Sequence, residues 1–240
     1  MSIWFVLWVI ISVALLYFSG WTYLILYRQK KAWKAFSAKH KLRYIPGKFT
    51  DAPQIKGVYS GYEVHIFSSE HQSPDVRGSR KLTAIEIDLK SKAPVNMVAA
   101  SSGMVSMAEA MGLPSTVMVE HDSWADENLI QSDNADIAQA YFTPARLTAL
   151  QKVIAIKNSM VIFVFRPQIG LFRIDLSDPL DNEEKEERLL KNLIKVVEQL
   201  ELDDGESSKL KSVSAKKAKA TPVLHVSDSD GDSGLSLEED

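Results

Sequence analysis

Cysteine is absent from all 240 residues. That excludes a disulfide framework, a thiolate metal site and a cysteine nucleophile. Neither a G-x-x-x-x-G-K-[ST] loop nor a G-x-G-x-x-G turn occurs, so no phosphate-cradling loop of those kinds is expected. There is no G-x-S-x-G elbow either. Gly57-Val58-Tyr59-Ser60-Gly61 has the wrong order for one, and Gly231-Asp232-Ser233-Gly234 lies in a polar tail with no catalytic partners around it. No sign of charge dominates: 28 Lys and Arg against 31 Asp and Glu leave −3, which gives no reason to expect a nucleic-acid partner.

The most informative absence is local. Ile3 to Tyr27 carries no charged side chain. At ~1.5 Å per residue such a run exceeds the ~30 Å hydrocarbon core of a bilayer. A helix is expected, because lipid cannot satisfy open backbone groups. Trp4, Phe5 and Trp8 sit towards one end, and Tyr17, Phe18, Trp21, Tyr23 and Tyr27 crowd the other, as interfacial aromatic belts do. A cleaved signal peptide would need a basic start and a shorter apolar core. The reading is therefore a transmembrane anchor over residues 1–27. Ser12, Ala14, Ser19 and Gly20 are small residues within it, but they do not form a G-x-x-x-G helix-packing motif.

Charge resumes abruptly. Arg28, Lys30, Lys31, Lys34, Lys39, Lys41, Arg43 and Lys48 precede the first acid, Asp51. By the positive-inside rule the N-terminus lies outside and the rest of the chain is cytoplasmic. Arg28, Lys30, Lys31 and Lys34 are the residues expected to meet lipid headgroups. Trp33, Phe36 and His40 recur at helical spacing, so residues 28–41 are expected to form a basic juxtamembrane helix, continuing or restarting the span.

Residues 42–202 read as a cytoplasmic α+β domain of antiparallel sheet covered by helices. Ile55–Tyr59 and Tyr62–Phe67 flank Ser60-Gly61, a two-residue hairpin turn. Tyr62, Val64 and Ile66 share one face, opposite Glu63 and His65. Leu82–Leu89 alternates in the same way. Residues 68–79 read as a polar loop, residues 116–119 as a strand, and residues 122–140 as an acidic loop with a helical turn. Met104, Met107 and Met111 mark one face of a short helix, more as core than as a docking groove. Thr143-Pro144 predicts an N-cap and a first helical proline, with Leu147, Leu150 and Ile154 as the buried stripe. Met160–Phe165 reads as a central strand, and Phe172, Ile174 and Leu176 as the inward face of its hairpin partner. A helix from about Asp181 carries Glu183, Glu184, Glu186 and Glu187 in its first turns. Its expected buried stripe is Leu189, Leu193, Val197 and Leu200.

The run Gly57-Val58-Tyr59-Ser60-Gly61-Tyr62-Glu63-Val64 resembles the G-x-Y-x-G-x-x-V hairpin of uncharacterised bacterial membrane-anchored α+β domains. There, a Leu-rich helix such as Thr143–Leu150 precedes a final hairpin and helix. The resemblance covers about residues 33–202. It implies an architecture and a bacterial source, and carries no activity to particular residues.

Chemistry is sparse. His65, His71 and His121 lie near Glu63, Glu70, Glu120 and Asp122 in sequence, but none of their spacings is that of a metal-ligand pair. From Asp203 onward the chain is polar, and residues 203–240 are expected to form a disordered charged tail. Within it, Asp228, Asp230 and Asp232 occupy positions 1, 3 and 5 of a calcium loop, Gly234 the carbonyl position 7 and Glu239 the bidentate position 12. Ser233 stands where such loops need glycine. Calcium is thus the one cofactor the sequence suggests, and none is otherwise expected. The function expected is a single-pass, membrane-anchored interaction or scaffold protein within a membrane-associated assembly, with the bilayer and an unidentified protein as partners. The alternatives are a membrane-surface enzyme of unknown reaction, or a calcium-responsive regulator. The net −3 conceals a polarity: +8 over residues 28–50, −7 over 51–202 and −4 over 203–240.

Overall fold

The computed structural model describes residues 2–48, 51–72, 79–119, 121, 124–203 and 205–212. Its first element, α1 (Ile3–Lys39), is one unbroken helix of 37 residues, about 55 Å at 1.5 Å per residue. It spans both the expected anchor and the juxtamembrane segment without a restart. Nothing in the sequence interrupts it: no proline lies between Ile3 and Lys39. No residue of its most apolar stretch is buried. Its last turns differ. Gln29, Ala32, Trp33, Phe36 and Ser37 are buried, at the i, i+3, i+4, i+7, i+8 spacing of a helix face.

The chain then builds a single nine-stranded, wholly antiparallel sheet. Its strands are β1 (Arg43–Ile45), β2 (Gln54–Tyr59), β3 (Tyr62–Gln72), β4 (Ser79–Asp88), β5 (Met97–Ala100), β6 (Ser115–Thr116), β7 (Leu129–Ser132), β8 (Ser159–Phe165) and β9 (Gly170–Leu176). The spatial order is β1-β2-β3-β4-β9-β8-β5-β7-β6. The helices after α1 are α2 (Val105–Glu109, following a 3-10 turn at Ser102–Met104), α3 (Ala135–Tyr141), α4 (Pro144–Ile154) and α5 (Glu183–Leu200).

One sheet face carries the main core. Ile55, Val64, Ile66, Ile85, Ile87, Phe163, Phe172 and Ile174 pack there with Trp33 and Phe36 of α1, Tyr141 of α3, Leu147 and Leu150 of α4, and Leu190 and Leu193 of α5. The alternate residues Ile162 and Val164 face the other way and pack with Val98, Ala100, Met104 and Ala108 in a smaller cluster. Strand periodicity of two thus divides β8 between two cores, which is why its sequence reads as an unbroken apolar run. Met104 is buried, whereas Met107 is exposed.

The β2–β3 turn is as expected. Ser60 and Gly61 both have positive φ, 49° and 82°, the pattern of a type I′ turn. Gly57 backs onto Leu42, whose Cδ2 lies 2.9 Å from where a Cβ would sit. The hairpin's leading glycine therefore admits the chain that joins α1 to the sheet. Thr143 caps α4 by accepting from the Arg146 amide, and Asn182 caps α5 by accepting from the amides of Glu184 and Lys185.

Four expectations need correction. Within the loop read at residues 68–79, the described residues are strand, since β3 runs to Gln72 and β4 starts at Ser79. Cross-strand pairing of polar residues sustains the hairpin beyond its apolar stretch. The strand read at 116–119 is the two-residue β6. The acidic loop at 122–140 contains β7 and most of α3, because Asn134 caps a helix whose apolar face, Ile137, Ala138 and Tyr141, is fully buried. The chain also remains ordered past Asp203. Residues 205–212 are helical. Leu210 is buried, and Glu206 Oε2 accepts from Arg146 Nη2 at 2.6 Å. An apolar anchor and an ion pair override the polar composition there.

Candidate functional site

The basic residues singled out in the sequence lie along α1 where the apolar run ends. Arg28, Lys31 and Lys34 are exposed and recur every third residue, on a face away from the buried Gln29–Trp33–Phe36 side. Lys30 is partly buried, and its Nζ donates to the Lys48 carbonyl at 2.8 Å. The four cations therefore do not form one cluster. Three project outward in a row, and one ties the helix to the loop before the sheet.

The histidines do not converge. His65 and His71 are six residues apart on β3, so ~20 Å of strand separates their backbones. His121 lies beside α4, with Nε2 3.2 Å from Thr148 Oγ1. Among the described residues, no group of three or more His, Cys, Asp or Glu side chains is arranged to hold a metal ion. Asp228, Asp230, Asp232, Gly234 and Glu239 lie outside the described residues.

His65 belongs instead to a polar row across the sheet face opposite the main core. Its Nε2 lies 3.4 Å from Gln54 Oε1 on β2, and its Nδ1 3.7 Å from Glu86 Oε2 on β4. Arg173 of β9 donates to Glu86 at 3.2 Å and takes Asp175 in a two-point grip, at 2.7 and 2.9 Å. Ser69 of β3 donates to the same Asp175 carboxylate at 2.8 Å. The row thus crosses β2, β3, β4 and β9. Burial, reinforced by Lys56 and Arg173 nearby, pushes His65 down to about 4, so it is neutral at cellular pH. Burial also raises Glu86, against the pull of Arg173. The Asp175 contacts hold Arg173 firmly charged.

A groove of about 370 Å³ opens beside this row, lined by Lys56, Glu63, His65, Glu86 and Asp88 among others. Within it, His65 and Glu86 are partners of each other. The arrangement ties four strands together.

A second hollow, about 380 Å³, lies where α1 crosses the sheet. Ile25, Leu26 and Gln29 form one wall, with Ser68, Lys81 and Thr83 on the other. The pairing of Ser68 with Thr83 was hidden in the sequence, since Ser68 reads as the start of a loop although Thr83 reads as strand. A third feature is Glu186, one of the first-turn acids of α5. It is completely buried, and neither carboxylate oxygen has a hydrogen-bond partner. Its position was legible: it stands four residues before Leu190 and seven before Leu193, on their face.

No protein-family model and no curated protein matches the chain. A solved structure with a similar outline is the crystal structure of the mycobacterial trehalose monomycolate transport factor A, TtfA. It is 15% identical, and the match covers 72% of this chain and 94% of that one, with a TM-score of 0.41.

Proposed function

We propose that this chain is a single-pass, membrane-anchored interaction protein. Its N-terminus lies outside a bacterial inner membrane and its α+β domain in the cytoplasm, where it serves a membrane-associated assembly. One observation carries the reading: α1 is a single helix whose first part is apolar and unburied and whose last turns are core. Trp33 and Phe36 are fully buried, so the helix belongs to the domain at one end and, by length and composition, suits a bilayer at the other. The run of Arg28, Lys31 and Lys34 at the junction supports the cytoplasmic placement of the domain.

The natural lack of cysteine gives a clean test. Single-cysteine variants Ser2→Cys and Lys195→Cys in intact cells are treated with a membrane-impermeant maleimide. Labelling of Ser2→Cys alone is expected, and labelling of Lys195→Cys from outside would overturn the orientation. Purification of the full chain in mild detergent should recover a stoichiometric protein partner; recovery of monomer alone would overturn the interaction reading. The carboxylate spacing from Asp228 to Glu239 supports a separate proposal, a calcium-responsive tail. Calorimetry of the full chain should then show heat at millimolar calcium that Glu239→Gln abolishes, and absence of that heat would end the proposal.

A further inference from the structure

The hollow between α1 and the β3–β4 hairpin lies at a particular height. Its helical wall is Thr22, Ile25, Leu26 and Gln29, the end of the uncharged run and the first buried polar residue of α1. Tyr23 and Tyr27 of the aromatic belt bracket Ile25 and Leu26 in sequence. On the membrane reading, on which this inference rests, that level is the boundary between acyl chains and headgroups.

The opposite wall has a gradient of its own. Ile66, Ser68 and Glu70 are alternate residues of β3, and Ile85, Thr83 and Lys81 are their cross-strand neighbours on β4. Along one sheet face, pairs therefore change from Ile66–Ile85 to Ser68–Thr83 to Glu70–Lys81. The first pair is core, the second offers two hydroxyls, and the third is charged. Lys81 also has Asp51 nearby, with Nζ 3.8 Å from Oδ1. Both side chains are about half exposed, so that contact is loose and replaceable.

We propose that this hollow seats one aminophospholipid of the bilayer. Lys81 takes the phosphate, while the hydroxyls of Ser68 and Thr83 offer donors to its oxygens. The ammonium lies towards Asp51 and Glu70, and the first part of an acyl chain runs along Ile25 and Leu26. One cation with a carboxylate on either side complements a zwitterion. The volume is of the order of small-molecule sites, ~300–1,000 Å³. An apolar wall continuous with the span favours a lipid over a soluble phosphate ester.

The test uses the full chain in mild detergent. It is incubated with equal amounts of phosphatidylethanolamine, phosphatidylglycerol and phosphatidylcholine, and the lipid retained after detergent exchange is counted by native mass spectrometry. One phosphatidylethanolamine per chain is expected. Lys81→Met should lower its retention about fivefold, equivalent to ~1 kcal/mol, and Lys195→Met, far from the hollow in sequence and exposed, should not. Asp51→Asn should reduce the preference for phosphatidylethanolamine over phosphatidylcholine. Equal retention of all three lipids, or no effect of Lys81→Met, would overturn the proposal. Displacement by excess phosphoethanolamine lacking acyl chains would also overturn it, in favour of a soluble ligand. Resistance of the full chain to alkaline extraction from membranes is measured alongside: extraction would refute the membrane reading itself, whereas a resistant chain without the lipid preference refutes only the site.

Discussion

Glu186 allows a quantitative challenge to the core. Its carboxyl is enclosed where α5 begins, without a hydrogen-bond partner on either oxygen. Burial, with a lesser contribution from Glu183, pushes its pKa up to about 8, against an ordinary 4.5. The folded protein therefore holds a proton that the unfolded chain releases above about pH 4.5. Unfolding then sheds protons, so this group's effect on stability becomes steadily more unfavourable as pH rises from about 4.5 to 8, and levels off beyond. At about 1.4 kcal/mol per pH unit, the penalty is roughly 1 kcal/mol at pH 5 and roughly 4 kcal/mol at pH 8. Glu186→Leu removes the ionisable group and keeps similar bulk against Leu190. Urea unfolding of the full chain in detergent, followed by tryptophan fluorescence at both pH values, measures the difference between variant and parent. Other titrating groups contribute to both proteins and largely cancel. The variant's advantage should grow by roughly 3 kcal/mol from pH 5 to pH 8. An advantage unchanged between the two pH values would refute the argument, because it would mean that the carboxyl ionises in the folded state as readily as in water.

Three further outcomes are expected. Trp33→Ala should cost about 3–5 kcal/mol in the same unfolding assay, through lost volume and the lost hydrogen bond to the Leu180 carbonyl; a loss below about 1 kcal/mol would mean that the helix end is not core. Asp175→Asn should destabilise by about 3 kcal/mol, because it strips a buried carboxylate from Arg173 and Ser69, and Arg173→Met in the same background should recover part of that loss. Ser60→Asn should stabilise by about 0.5 kcal/mol, since Asn tolerates the positive φ of the turn better than Ser, measured as a rise in melting temperature.

Elements with strong local signals were legible in the sequence. The apolar run, the Ser60-Gly61 turn and the Thr143-Pro144 cap each act over a few residues and need no tertiary partner to be recognised. Local signals fail where distant residues decide. The ends of β3 and β4 are polar, and only their pairing makes them strand. Residues 135–141 look acidic because Asp133 and Asp136 stand at the entry, although Ile137 and Tyr141 are the residues that bury. Of the α5 stripe, Leu193, Val197 and Leu200 are buried as their spacing predicts, whereas Leu189 is only partly buried and the neighbouring Leu190 takes its place. At the candidate sites, Arg28, Lys31 and Lys34 were visible as a basic run. The hollow with Lys81 was not, because it joins residues more than 50 positions apart.

On the proposed membrane reading, the uninterrupted course of α1 has a mechanical consequence. A helix advances about 100° per residue, so the number of residues between the bilayer and Trp33 sets which side of the domain faces which way around the membrane normal. A flexible tether would leave that azimuth free. Here it is part of the covalent structure: adding one residue near Lys31 would swing the domain by about a quarter turn, whereas adding seven would nearly restore its heading and raise it by about 10 Å. Tilt or rotation of the span is likewise delivered to the sheet as motion of a stiff shaft, and any neighbour that docks on the domain reads the helix's phase.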